Sequence, residues 1–157
     1  MLKIGTPIPE FCAEITGGTV IDNQTFQNNL YTVLYFYPRD NTPGCTQEGR
    51  DFRAAYDQFK QRSTEVLGIS RDTLSSHEKF KTKQEFPFEL VADPDETLCQ
   101  LFDVMRTKNM YGKQVRGIER STFLIDQQGI LIREWRKIKV PGHVDQVLET
   151  IKNIQAS

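Results

Sequence analysis

The stretch YTVLYFYPRDNTPGCTQEGRDF (Tyr31 to Phe52) decides the fold. Its first part, Tyr31 to Tyr37, is a near-continuous run of β-branched, aromatic and aliphatic residues, which is typical of a strand covered on both faces. A loop with proline and glycine follows, and apolar residues at helical spacing then predict a helix from about Thr46 to Gln61. A buried strand that leads through a short loop into a helix indicates an α/β fold.

The rest of the chain alternates predicted strands and helices. The predicted strands are the hairpin PEFCAEITGGTVI, Glu65 to Ser70, Phe88 to Ala92, and the hairpin of STFLID and ILIREW. The predicted helices are one from the capping-box pair Ser75 and Glu78 toward Lys83, one carrying Leu98 to Met105, and one after Pro141-Gly142. This order predicts a single α/β domain over residues 1–157, with a mixed central sheet, helices on both faces and an N-terminal β-hairpin.

Composition narrows the function classes. The chain has 157 residues, of which 38% are hydrophobic and 26% charged, as in soluble globular domains. Its net charge of -1 favours neither nucleic acid nor an anionic membrane as a partner. The start, MLKIGTPIPEF, lacks the apolar region of a secretory signal, and nothing approaches 18 consecutive apolar residues, so we expect a cytoplasmic protein.

The cysteines, Cys12, Cys45 and Cys99, are odd in number and far apart, which fits a reducing compartment better than a disulfide framework. No CxxC or CxxH is present, and His77 and His143 lie near no cysteine, so we expect no metal site and no cofactor. We interpret the histidines as surface residues. Cys99 lies within an apolar helical pattern, and Cys12 lies in a predicted strand. We therefore interpret both as residues packed in the core.

Cys45 lies where the predicted strand has ended and the helix begins. The helix dipole and the unpaired backbone N–H groups there favour an anion, and the thiolate is the nucleophilic form of cysteine. Pro43 fixes φ, Gly44 permits a tight turn, and the extended geometry expected of Thr42 before a proline lets its hydroxyl point at the same site. From the residues alone, an inert buried cysteine stays an alternative.

The stretch PRDNTPGCT (Pro38 to Thr46) resembles the P-x-x-x-T-x-x-C motif of peroxiredoxins, and FYP…TPGCT resembles their bacterioferritin-comigratory (PrxQ-like) branch. The stretches NMYGK (Asn109 to Lys113), GIERSTFLID (Gly117 to Asp126) and GTPIPEF agree with that family, so the resemblance covers nearly the whole chain. It implies a thioredoxin-like fold, often monomeric, and an antioxidant peroxidase. The implied substrates are hydrogen peroxide and organic hydroperoxides, which are reduced without metal or haem.

The resemblance also implies roles for individual residues. Cys45 would be the peroxidatic cysteine, Thr42 would hydrogen-bond the thiolate and the peroxide, and Pro38 would shield the pocket. Arg120 would hold the thiolate and polarise the peroxide. Without the resemblance, Arg120 is better interpreted as a surface residue paired with a carboxylate such as Glu119.

Two further residues are expected to support the site. The N–H groups of Gly44 and Cys45 are candidate donors to the departing oxygen, together with Arg120. Glu48 resembles the acidic or amide residue that the family often has there. Glu48 would orient Arg120 or cap the start of the helix.

The sequence departs from the family in its second thiol. Many members carry a resolving cysteine where this chain has Arg50, and the helix expected over Ser75 to Gln84 contains no cysteine either. We therefore predict a one-cysteine enzyme that is reduced by thioredoxin, glutaredoxin or a small thiol. The remaining candidates for a resolving thiol are Cys12 and Cys99, and the alternative is that local unfolding brings Cys99 to Cys45.

Two other functions compete with a peroxidase. A disulfide oxidoreductase on the same fold is disfavoured because no CxxC follows the first buried strand. The other is a redox-sensing module that signals through an oxidised Cys45. The sequence distinguishes it poorly from a peroxidase, since sensors also use thiolates. A sensor oxidises once, whereas an enzyme must turn over.

Overall fold

The computed structural model describes residues 2–157. The strands are β1 (Cys12–Ile15), β2 (Thr19–Asp22), β3 (Tyr31–Phe36), β4 (Thr64–Ser70), β5 (Glu89–Ala92), β6 (Met105–Met110), β7 (Lys113–Ile118), β8 (Ser121–Asp126) and β9 (Leu131–Trp135). The helices are α1 (Pro43–Gln61), α2 (Leu74–Gln84), α3 (Thr97–Leu101) and α4 (His143–Ala156), with a 3-10 helix at Asn23–Asn28. Within residues 2–157, no helix combines the length and the apolar composition that crossing a membrane requires.

The main sheet has the strand order β2-β1-β5-β4-β3-β8-β9 among the described residues. Strand β3 pairs in parallel with β4 and antiparallel with β8, and β1 joins β5 antiparallel, so the sheet is mixed. Because β3 lies inside the sheet and is covered on both faces, its sequence is a continuous apolar run. The predicted mixed sheet and N-terminal hairpin are therefore confirmed.

Alternate residues of β3 enter two separate buried clusters, since successive strand side chains point to opposite faces. Val33 and Tyr35 pack with Cys45, α1 and α4 on one face, which we call the Cys45 face. Leu34 and Phe36 pack on the other, the Cys99 face, with α3, the 3-10 helix and the N-terminal segment. The expected helices on both faces are thus present, and the sheet separates Cys45 from Cys99.

Element boundaries differ from the sequence predictions at three helices. Helix α1 begins at Pro43 rather than near Thr46, because proline fits the first helical position, where its missing N–H has no helical partner. The cap of α2 is Thr73, which accepts from Ser76 N, so the capping-box interpretation of Ser75 was wrong. The third helix ends at Leu101, and Met105 begins a strand instead.

The hairpin of β6 and β7 was not predicted. Its strands are largely exposed and polar, so they lack the alternating apolar pattern by which half-buried strands are found. The turn at Tyr111 and Gly112, both with positive φ, joins strands that pair from Met105 with Ile118 to Met110 with Lys113. The hairpin stands outside the main sheet and is anchored at its base, where Ile118 is buried.

Three side chains are placed differently from their sequence interpretation. His77 and His143 are buried rather than on the surface, because each ring finds hydrogen-bond partners inside the protein. Cys12 is exposed, since β1 turns its side chain away from the core, so its interpretation as a packed residue was wrong. The buried position of Cys99 is confirmed.

We predict that Gly68→Ala destabilises the fold by about 1–3 kcal/mol, the range for overpacking a core. An added Cβ would lie 2.7 Å from Tyr35 Cζ and 2.9 Å from Leu90 Cδ2, on the Cys45 face. The free energy of unfolding in urea measures the loss. The matched control is Gly117→Ala, also in a strand, whose added Cβ meets no atom within 4 Å. Equal stabilities of the two variants would contradict the prediction.

Candidate active site

The loop between β3 and α1 delivers Cys45 to the carboxyl edge of the sheet. Thr42 has extended geometry (φ -87°, ψ 153°) and precedes the helix, and Pro43 occupies its first turn. Cys45 therefore lies in the first turn of α1, among backbone N–H groups that have no partner within the helix. The residue is only 2% exposed, so a small molecule can approach the sulfur more easily than a protein can.

Arg120 faces Cys45 from the segment between β7 and β8. Its Nη2 donates to Cys45 Sγ at 3.5 Å, and its Nη1 donates to Glu48 Oε1 at 2.6 Å. Cys45 and Glu48 are one helical turn apart on α1, so one planar guanidinium can reach both. The Arg120 side chain is 15% exposed, and Ile138 N donates to its backbone carbonyl at 3.1 Å.

Gly44 makes room for this arginine. A Cβ at position 44 would lie 3.2 Å from Arg120 Nη2, closer than ordinary van der Waals contact. The absence of a side chain lets the guanidinium lie against the first turn of α1. The structure therefore brings Gly44, Cys45, Glu48 and Arg120 together.

Glu48 is fully buried. Its carboxylate contacts Arg120, which corresponds to the first of the two roles considered for it, orienting Arg120 rather than capping the helix. Burial raises the pKa of Glu48 to about 7, although the charge of Arg120 and its hydrogen bond oppose that rise. Among residues 2–157, Oε2 of Glu48 has no hydrogen-bond partner, which is consistent with a carboxyl that ionises reluctantly. For Arg120, burial works against the charged form, but Glu48 and Cys45 raise its pKa.

Thr42 and Pro38 are placed near the site in different ways. The Thr42 hydroxyl donates to the Arg39 carbonyl at 2.9 Å, so its proton points along the loop rather than at the sulfur as expected. Pro38 lies beside Arg120 at a cleft of about 520 Å³. The cleft is lined by Pro38, Lys108, Ile118, Glu119, Arg120, Lys137 and Ile138.

The carboxylate suggested as a surface partner of Arg120 is engaged elsewhere. Glu119 Oε2 lies 3.5 Å from Arg106 Nε, whereas the guanidinium of Arg120 donates to Glu48 and Cys45. Arg50, at the position of the family's resolving cysteine, is exposed, and its Nε donates to Gln84 Oε1 at 3.0 Å.

The remaining thiols lie away from this arrangement. Cys99 packs on the Cys99 face, and its backbone N–H donates to Asp93 Oδ2 at 2.8 Å. Burial, together with Asp93, raises the pKa of the Cys99 thiol far above its usual range. Cys12 is exposed on β1 beside a separate cleft that Asp95 and Thr97 help to line.

Sequence reasoning missed a second polar cluster behind the Cys45 loop. Ligand-type atoms of Asp40, Asp72 and His77 lie within 4.8 Å of one another. They bind one another, because His77 Nδ1 and Asp40 Oδ2 are 2.8 Å apart and Asp40 N donates to Asp72 Oδ2 at 3.0 Å. One signal was present: Asp40 and Asp72 each follow a parallel strand, and such strand ends meet at one edge of a sheet.

A first-turn cysteine faced by a partly buried arginine, on a mixed sheet with helices on both faces, defines the class of thiol-dependent peroxidases with a thioredoxin-like fold. Comparison with known proteins agrees with that class. The chain belongs to the AhpC/TSA family, which it matches over residues 4–134, and within that family to the bacterioferritin-comigratory (PrxQ-like) peroxiredoxins.

Three relatives illustrate the match. Peroxiredoxin Bcp of Xanthomonas campestris is 51% identical over 138 residues, which are 88% of this chain and 86% of the relative. A cysteine-to-serine variant of Xylella fastidiosa PrxQ has TM-score 0.92 and 42% identity, covering 99% of this chain and 98% of its own. The X. campestris bacterioferritin comigratory protein, studied for its alkyl peroxide reduction activity, has TM-score 0.85 and 48% identity over 91% and 90%. The predicted family, fold and peroxidase class are confirmed.

We predict that Glu48→Gln changes how stability depends on pH. Since folding raises the pKa of Glu48 from 4.5 to about 7, the stability linked to its proton is full below pH 4.5 and is lost as pH rises through 7. Relative to Glu48→Gln, the wild type should therefore lose on the order of 3 kcal/mol across that window. Urea unfolding at a series of pH values measures the difference.

The control for this pH series is Glu10→Gln, a substitution of the same chemistry at an exposed position. It corrects for the general effect of removing one carboxylate. The prediction would be contradicted if the stability of wild type minus that of Glu48→Gln stayed constant from pH 4.5 to 7.5, or if it rose with pH.

Proposed function

We propose that this chain reduces hydrogen peroxide and organic hydroperoxides through the thiolate of Cys45. The observation that carries the proposal is the contact of Arg120 Nη2 with Cys45 Sγ at 3.5 Å, made by a guanidinium that Glu48 holds in place. A positive group at that distance donates to the sulfur and is ready to donate to an oxygen that approaches it.

The chemistry needs only these groups. The Cys45 thiolate attacks one peroxide oxygen, an S–O bond forms, the O–O bond breaks, and hydroxide or alkoxide leaves with the electron pair. Negative charge grows on the departing oxygen, where preorganised donors contribute most to catalysis. Arg120 and the N–H groups of Gly44 and Cys45 are the proposed donors, and the product is a cysteine sulfenic acid.

The cleft beside Arg120 supports an organic peroxide as well as hydrogen peroxide. Its volume of about 520 Å³ exceeds what hydrogen peroxide needs, and Ile118, Ile138 and Pro38 give it an apolar part. An alkyl group resting there would leave the peroxide oxygens next to Arg120. Pro38, at the rim, is proposed to shield the sulfur from bulk water, and Thr42 to contact the peroxide through its hydroxyl oxygen.

We propose that the sulfenic acid is reduced by an external thiol. Cys99 belongs to the cluster on the opposite face of the sheet from Cys45, so a bond between them would require the sheet or α1 to come apart. One thiol of the reductant condenses with the sulfenic acid to a mixed disulfide and water, and a second thiol releases Cys45. Thioredoxin, glutaredoxin and small thiols of a reducing cytoplasm are the candidates.

The mass of the oxidised protein tests this mechanism. Fully reduced protein treated with one equivalent of hydrogen peroxide should gain one oxygen, or a dimedone adduct, at Cys45 under non-reducing conditions. Cys99→Ser and Cys12→Ser should behave like the wild type, and Cys45→Ser should gain nothing. Loss of two hydrogens that disappears in Cys99→Ser would instead identify Cys99 as the resolving thiol, and a disulfide-linked dimer lost in Cys12→Ser would identify Cys12.

We predict that Arg120→Lys lowers the rate constant for oxidation of Cys45 by hydrogen peroxide by about 100-fold, the usual effect of losing one preorganised donor. Lysine keeps the charge but cannot donate to Glu48 and Cys45 together from a planar fork. Stopped-flow kinetics measures the constant. Arg106→Lys is the matched control, because Arg106 contacts Glu119 rather than Cys45, and it should react like the wild type. Equal rates for the two variants would contradict the role of Arg120.

A further inference from the structure

The loop that carries the proposed catalytic residues has little structure of its own. Within residues 38–42, all of them described and all before α1, Asp40 is the only buried residue, and Pro38 and Arg39 are exposed. Asn41 adopts positive φ (63°), a region that asparagine tolerates better than most residues with a side chain. Apart from the hydrogen bond of the Thr42 hydroxyl to the Arg39 carbonyl, the shape of the loop depends on contacts from outside it.

Asp40 supplies those contacts. Its Oδ1 accepts from the Tyr37 hydroxyl at 2.7 Å, and its Oδ2 accepts from Ser76 Oγ at 2.8 Å and lies 2.8 Å from His77 Nδ1. Ser76 and His77 belong to α2, so the carboxylate binds the loop to a different helix from the one that carries Cys45.

His77 extends the connection to a third element. Its Nε2 lies 2.9 Å from the backbone carbonyl of Val91 in β5, and the side chains of His77 and Asp40 are 0% and 1% exposed. A carbonyl can only accept, so Nε2 carries a hydrogen, and Nδ1 shares one proton with Asp40 Oδ2. One buried ring thus has a fixed position between the sheet and the loop.

We propose that His77 is a positioning residue for the peroxidase reaction, acting through its bond to Asp40 to hold the loop so that Cys45 faces Arg120. The imidazole does not touch the sulfur. Since reactions of this kind depend on the alignment of the attacking atom with fixed donors, a shift of the loop by about 1 Å is enough to slow peroxide reduction by up to about 100-fold. The inference rests on the proposed role of Cys45.

Two variants separate the two bonds of the ring. In His77→Asn the side-chain amide can donate near the former Nδ1, so the bond to Asp40 is kept and the bond to Val91 is lost. In His77→Gln the longer side chain places its amide near the former Nε2, so Val91 is kept and Asp40 is lost. We expect His77→Gln to react with hydrogen peroxide about 10- to 100-fold more slowly than wild type. His77→Asn should stay within about threefold of the wild type, because the loop keeps its tether.

A second reaction distinguishes positioning from general damage. Alkylation of Cys45 by iodoacetamide near pH 9.5, about one unit above the ordinary thiol pKa, needs neither Arg120 to form the thiolate nor donors aimed at a peroxide oxygen, and peptide mass spectrometry follows it. The alkylation rate of His77→Gln should therefore fall much less than its peroxide rate. Leu131→Ala, which removes buried volume on the Cys99 face, is the control for loss of stability and should keep the wild-type ratio of the two rates.

The outcomes are distinct. The proposal is supported if His77→Gln reacts slowly with peroxide and its ratio of peroxide rate to alkylation rate is below that of wild type, while His77→Asn reacts at nearly the wild-type rate. Equal peroxide rates in the two variants, a slower His77→Asn, or parallel slowing of peroxide reduction and alkylation overturns it. Full peroxidase activity in Cys45→Ser would instead overturn the proposed function, so the two failures are distinguishable.

Discussion

A guanidinium shared between a buried carboxylate and a sulfur is the interaction on which this molecule's site depends. Arg120 joins the start of β8 to two successive turns of α1 through Cys45 and Glu48. Removing one partner from such a buried set leaves a charge without compensation, which is far more costly than the pair is stabilising. The glycine at position 44 and the cleft beside Arg120 both make sense as space left around this one side chain.

The sheet explains how residues distant in sequence reach that guanidinium. Strand β3 pairs with β4 on one side and β8 on the other, so its carboxyl end brings together the loop before α1 and the residue that precedes β8. The same edge collects Asp40 and Asp72, and α2 closes over them with His77. The order of the strands therefore explains both polar clusters: Arg120 with Glu48, which contacts the sulfur, and the cluster of Asp40, Asp72 and His77 behind the loop.

Sequence alone predicted the parts whose causes are local. The continuous apolar run of β3 and the Pro43-Gly44 pair identify a strand, a turn and a helix start, and thereby the setting of Cys45. The pairing with Arg120 came from the family resemblance, because no local pattern connects residues that far apart. His77 was missed since one polar residue on a short helix gives no sign of its partners, and the hairpin of β6 and β7 was missed because its strands bury almost nothing.

The burial of Cys99 behind the sheet has a consequence for the protein's life in the cell. Under the proposed one-cysteine route, a newly formed sulfenic acid has no neighbouring thiol to trap it and waits for a reductant to arrive. A second peroxide molecule can reach it first and carry the sulfur to the sulfinic state, which most proteins cannot reverse. The ratio of peroxide to reducing thiol then sets how many turnovers each enzyme molecule completes before it is irreversibly inactivated.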